Sequence, residues 1–168
     1  MKLPLVIATV LLAAGLTSAH AQWPAWTPDQ LGDAFCIATL ANDMSAIEAG
    51  LLSPALVEAA AAAEKLNAEF KSLYPDEKPP LGDGLPWRSY PDAADGCTVG
   101  AVSEAADALN GATASVEINY SFKADPLANY TDVLQLRQTT GTDRFYQIDE
   151  IDYVTGQSFT AALETLFE

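Results

Sequence analysis

The chain has 168 residues, 23 of them acidic and eight basic, and its formal charge is −15. A surface that negative repels phosphate backbones and anionic lipid head groups, so nucleic acid and membrane surfaces are excluded as partners and a cationic ligand or protein is favoured. The length suits a single domain, and a hydrophobic fraction of 49% is enough to give it one core.

In chain order, Met1 and Lys2 precede an apolar run from Leu3 to Leu16, and Thr17, Ser18, Ala19, His20 and Ala21 follow. Those are the three regions of a secretory signal peptide, with Ala19 and Ala21 as the small residues of the cleavage site. The expectation is a signal peptide over 1–21 and a mature domain over 22–168, periplasmic or secreted. The run is shorter than the roughly 20 residues of a membrane span. No cysteine stands at Gln22 to take a lipid, so no membrane attachment is expected after cleavage. The leader carries away His20, the single histidine. Ser-His-Asp and Cys-His catalysis and histidine-bearing zinc sites are thereby excluded from the mature domain, and neither a metal nor a cofactor is expected. Cys36 and Cys97 are the two cysteines; in an exported chain such a pair oxidises, and a structural disulfide is predicted.

Thr27, Pro28 and Gln30 supply a cap, a first-turn proline and a capping-box glutamine, opening a helix whose apolar face is Leu31, Ala34, Phe35, Ala38 and Ala41. A short segment follows around Met44 to Ala49. Ser53 and Pro54 repeat the start signal for a long helix through the run Ala59 to Ala63 and on toward Tyr74, because alanine loses no side-chain entropy in a helix. From 75 to 91 the five prolines and two glycines predict an irregular loop, in which Trp87 should pack back on the domain or line a pocket.

The period then changes. After a strand from about Cys97 to Ser103 and a turn signal at Asn110-Gly111, Ala114, Val116, Ile118, Tyr120 and Phe122 alternate with polar residues as in a strand with one buried face. A second hairpin is predicted from Tyr130 to Gln138 and Arg144 to Val154, turning at Thr139 to Asp143. Tyr146 and Ile148 share one parity and Ile151 and Tyr153 the other, which predicts a β-bulge near Asp149 and Glu150. Ser158 should cap a short closing helix. Helices first and an antiparallel sheet afterwards make the fold class α+β.

The stretches VEINYSF at 116–122, YTDVLQLR at 130–137 and YQIDEIDY at 146–153, placed before a final helix, resemble the nuclear transport factor 2-like superfamily. The likeness is to its exported bacterial members in particular. It implies a cone of N-terminal helices packed on a curved antiparallel sheet, with a mouth that can take a ligand. Members include isomerases, dehydratases, immunity proteins and binding domains, so the fold leaves function open. Dehydratase-type members rely on histidine, which the mature chain lacks.

Within that frame Asp132 shares parity with Leu134 and Leu136, which would turn its carboxylate toward the apolar concave face, where desolvation disfavours charge. Asp132 is therefore the one candidate for a catalytic acid or base. Tyr120, Tyr130 and Trp87 are candidates to line a ligand site beside it. Asp149, Glu150 and Asp152 form an acidic cluster, read as solvated charge because no calcium-loop spacing surrounds it. Asn119-Tyr-Ser121 and Asn129-Tyr-Thr131 match the glycosylation sequon. The leading functional expectation is a non-catalytic exported domain that binds a small ligand or a protein. Its alternatives are an isomerase- or lyase-type enzyme using Asp132 with Tyr120 or Tyr130, and an acidic inhibitor or immunity-like protein that binds a basic partner.

Overall fold

The computed structural model describes residues 26–82, 84–106, 111–140 and 144–167. The expected leader, Asn110 of the first turn and residues 141–143 of the second lie outside them.

The first helix, α1 (Pro28–Ala41), begins on a closed capping box: the Gln30 N–H donates to Thr27 Oγ1 at 3.4 Å and the Thr27 N–H donates to Gln30 Oε1 at 3.0 Å. It ends at Asn42, in the left-handed conformation that asparagine tolerates. Leu31, Phe35 and Ala38 are buried as the spacing predicts, while Ala34 is half-buried and Ala41 exposed. Gly32, Cys36 and Thr39 complete the inner face, so its centre is rotated from the stripe read in the sequence. A short helix α2 (Ser45–Glu48) leads to α3 (Pro54–Leu73), where the Leu56 N–H donates to the Ser53 hydroxyl at 3.2 Å. The alanine-rich α3 buries Leu56, Ala60 and Ala63 and leaves Val57 and Leu66 partly in water.

Four strands follow, β1 (Gly96–Ala105), β2 (Thr113–Ser121), β3 (Tyr130–Gln138) and β4 (Tyr146–Asp152), antiparallel and in sequence order across one curved sheet. A 3-10 turn at Pro126–Ala128 joins β2 to β3, and α4 (Phe159–Thr165) closes the chain, its Ser158 cap accepting from the Ala161 N–H. The fold is α+β: α1 lies over β1 and β2, α3 and α4 over β4, and the core runs between the helices and the inner face of the sheet.

The predicted bulge is present. Gln135 pairs with Glu150 and Leu136 with Ile148, so Asp149 is the extra residue, and the slip keeps Ile148 and Ile151 both in the core. A second bulge in β1 sets Gly100 and Ala101 opposite Glu117, whose carboxylate accepts from the Ala101 N–H at 3.1 Å. No alternation in the sequence announced that one. Gly32 has a packing reason: a Cβ there would stand 2.8 Å from Val99 and 2.9 Å from Val116, so the missing side chain lets α1 press onto the sheet. Cys36 and Cys97 are joined, with Cα atoms 5.4 Å apart, and tie α1 to the start of β1. At the opposite edge the Leu51–Ser53 segment hydrogen-bonds along β4 through Ile148, which covers part of that edge.

Candidate functional site

The inner face of β3 presents Tyr130 and Asp132 at one end of the sheet, next to Tyr120 of β2, in the order that strand parity requires. All three are buried, Asp132 to 1% exposure. The Tyr120 and Tyr130 rings stack with centroids 4.9 Å apart. The fourth candidate, Trp87, reaches the same region from the proline-rich loop and stacks on Phe159 of α4 at 4.7 Å. The sequence-predicted residues are thus brought to one end of the sheet, Trp87 on its α4 side.

That loop also fills the concavity. The Ser89 N–H donates to Asp132 Oδ2 at 2.9 Å, the Ser89 hydroxyl donates to Oδ1, and the Val154 N–H donates to Oδ1 at 3.0 Å. Charge-assisted bonds to backbone donors offset the cost of taking a carboxylate out of water. Arg88 donates to the carbonyls of Thr39 at 3.2 Å and Pro91 at 3.1 Å. Tyr153, which follows β4, donates its hydroxyl to the Pro86 carbonyl, and Tyr90 meets the Tyr130 ring edge-on at 5.0 Å. Residues 86 to 90 therefore form a strap across the sheet, held at nearly every position.

The phenols in the cluster resist ionisation. Burial, with the charge of Asp132 adding to it, pushes Tyr120 up to about 12. The same causes raise Tyr130 and Tyr153 further. Tyr120 donates weakly to the Thr39 hydroxyl at 3.4 Å, and Thr39 donates back to the carbonyls of Phe35 and Cys36 within α1. The Tyr130 hydroxyl is buried without a hydrogen bond of good geometry among the described residues, although the Tyr90 backbone amide lies on its side. A neutral phenol donor beside a carboxylate could polarise a carbonyl oxygen, but Ser89 occupies the carboxylate.

Ser89, Thr39, Arg88 and Tyr153 are members of the cluster that sequence reasoning did not single out. The parity after the bulge pointed Tyr153 inward, and Thr39 lies on the buried side of α1. Nothing local marks Ser89 or Arg88. The acidic cluster of β4 is half-buried, and each member has a partner. Asp149 accepts from Arg137 at 2.8 Å, Asp152 accepts from Gln135 at 2.7 Å, and Glu150 accepts from the Thr160 N–H at 3.2 Å and from the Thr160 hydroxyl at the start of α4. Among the described residues no group of three acids and cysteines could hold a metal ion. Of the sequon asparagines, Asn119 accepts from the Thr131 hydroxyl at 2.6 Å and Asn129 accepts from the Phe122 N–H at 2.8 Å.

The site thus defines an α+β domain whose concave face is closed by its own loop. No family model, curated protein or solved structure matches the chain.

Proposed function

We propose that this chain is an exported, non-catalytic binding domain of the nuclear transport factor 2-like kind. The observation that carries the non-catalytic reading is the engagement of both Asp132 oxygens by Ser89 and Val154. The best-placed acid is thereby committed to holding the strap. Support for export comes from the leader pattern and from the disulfide, which persists in oxidising compartments. Among the described residues no helix is long and apolar enough to cross a membrane. An isomerase or lyase using Asp132 with Tyr120 or Tyr130 would first have to lift residues 86 to 90 from the sheet. So would a small ligand at Tyr120, Tyr130, Asp132 and Trp87. A protein partner bound elsewhere on the acidic surface makes no such demand.

The test is native mass spectrometry of the protein purified from an exporting host, paired with capture from periplasmic extract at low and high ionic strength. The expected result is a bare mass and a retained protein that high salt releases. A stoichiometric small-molecule adduct that Asp132→Asn abolishes would move the reading to a ligand domain. Turnover of any such molecule would overturn it.

A further inference from the structure

The outer face of α1 carries a feature that the core does not explain. Ile37 sits opposite the buried stripe of the helix and is 71% exposed, with Leu40 beside it at 42%. Scattered single apolar residues at the surface are ordinary. Here, however, Ile37 lines an open groove of about 380 Å³ with Trp26, Ala34, Gln30 and Asp33. Trp26, half-buried against the core, forms one wall.

The charge around the groove is one-sided. From Pro28 to Glu48 the chain holds Asp29, Asp33, Asp43 and Glu48 and no lysine or arginine. The two salt bridges among the described residues lie elsewhere, at Lys65–Glu69 and Arg137–Asp149. An apolar groove whose lining includes Asp33, with Asp29 one turn earlier on α1 and neither acid in a salt bridge among the described residues, fits an apolar side chain flanked by cations.

We infer that the α1 groove docks a basic protein partner, which inserts one aliphatic or aromatic side chain between Trp26 and Ile37 and sets lysine or arginine against Asp33 and Asp29. The inference rests on the binding-domain reading and places the contact on α1, away from the Asp132 cluster. Steering by opposite charge brings the partner in, and burial of Ile37 and Trp26 holds it.

The probes are two panels of 15-residue peptides with a central Leu, Phe or Trp, one flanked by lysine and arginine and the other by glutamate. Binding to the full mature chain is followed by amide and methyl chemical shifts. The basic panel should shift Trp26, Asp33, Ala34 and Ile37 saturably, with an affinity that falls as salt rises. Ile37→Ser and Asp33→Asn should each weaken binding roughly tenfold. Both positions are exposed, and unchanged circular dichroism would establish that the variants fold. Equal response to both panels, or retained affinity in Ile37→Ser, would overturn the proposal. So would intramolecular contacts from the segment before Trp26 that close the groove, or shifts that depend on protein concentration and so identify a second copy as the occupant. Shifts confined to residues 86–90 and β3 would overturn the α1 site while leaving a binding domain in place.

Discussion

Asp132 accepts hydrogen bonds from both the backbone N–H and the hydroxyl of Ser89, a residue 43 positions earlier in the chain. Two donors from one serine grip the two carboxylate oxygens, and the Val154 N–H takes a further lone pair. The irregular segment between α3 and β1 is thereby latched to one end of the sheet, on the interior strand β3. A proline-rich loop with no periodicity of its own gains a defined place because a buried charge has to be satisfied somewhere.

Asp132→Asn tests that latch. The sequence alone casts this substitution as a probe of binding, but the structure makes it a probe of stability as well. An amide keeps one acceptor and turns an NH2 group toward a donor, so charge-assisted bonds are lost and one donor is left opposing another. A loss of about 3 kcal/mol is expected in urea unfolding. Ser89→Ala combined with Asp132→Asn should cost less than the sum of the two, because both remove the same contact. A change within about 0.5 kcal/mol for Asp132→Asn would mean that water replaces Ser89 at little cost.

How far the site could be read from sequence follows from the range of each contact. The inward aim of Asp132 was legible because Leu134 and Leu136 share its strand, and strand parity is a local rule. The bulge at Asp149 was legible for the same reason, as a slip of parity between Ile148 and Ile151. The bulge at Gly100 and Ala101 was not, since Val99 and Val102 are the only large apolar residues near it and a slip needs a longer alternation to stand out. The disulfide followed from there being two cysteines. Of the strap, the return of Trp87 to the domain was legible from the cost of leaving an indole in water, but its partner was not: Trp87, Arg88 and Ser89 find Phe159, Thr39 and Asp132 through long-range contacts that no spacing encodes. For Glu150 the sequence showed a charge and the structure shows a cap, because the cap depends on the angle at which α4 returns to the sheet.

Tyr130→Phe should be neutral or should stabilise the domain by up to about 1 kcal/mol, since a buried hydroxyl whose one neighbouring donor, the Tyr90 amide, is poorly aligned bears a desolvation cost with little compensation. The ring contacts to Tyr120, Tyr90 and Phe122 remain in the variant. Thermal unfolding is the measurement. A clear destabilisation would show that an ordered water or another group meets this hydroxyl.

Replacement of Cys36 and Cys97 by serine should lower stability by about 2–4 kcal/mol, because the bridge closes a separation of 61 residues and its loss frees the unfolded chain. Exported protein should show no free thiol under denaturing, non-reducing conditions. Two free thiols in correctly folded material would contradict the bond.

Alkaline pH should unfold the domain through its tyrosines. Burial raises Tyr120 from 10.0 to about 12, and Tyr130 and Tyr153 move in the same direction. A group whose folded value lies above its unfolded value favours the native state fully below the unfolded value and loses that contribution as pH rises through the folded one. The neutral phenols of Tyr120, Tyr130 and Tyr153 therefore support the fold fully below pH about 10; the contribution of Tyr120 is lost between about 10 and 12, and those of Tyr130 and Tyr153 fade over a wider range that ends at higher pH. Phenolate absorbance followed beside circular dichroism should show these three ionising late and together with loss of structure. Tyr130→Phe should remove one of the late protons and make the alkaline transition shallower, since one fewer proton is then released on unfolding. Full ionisation of all six tyrosines near their ordinary value with the fold intact would place these phenols in water and contradict the closed cluster.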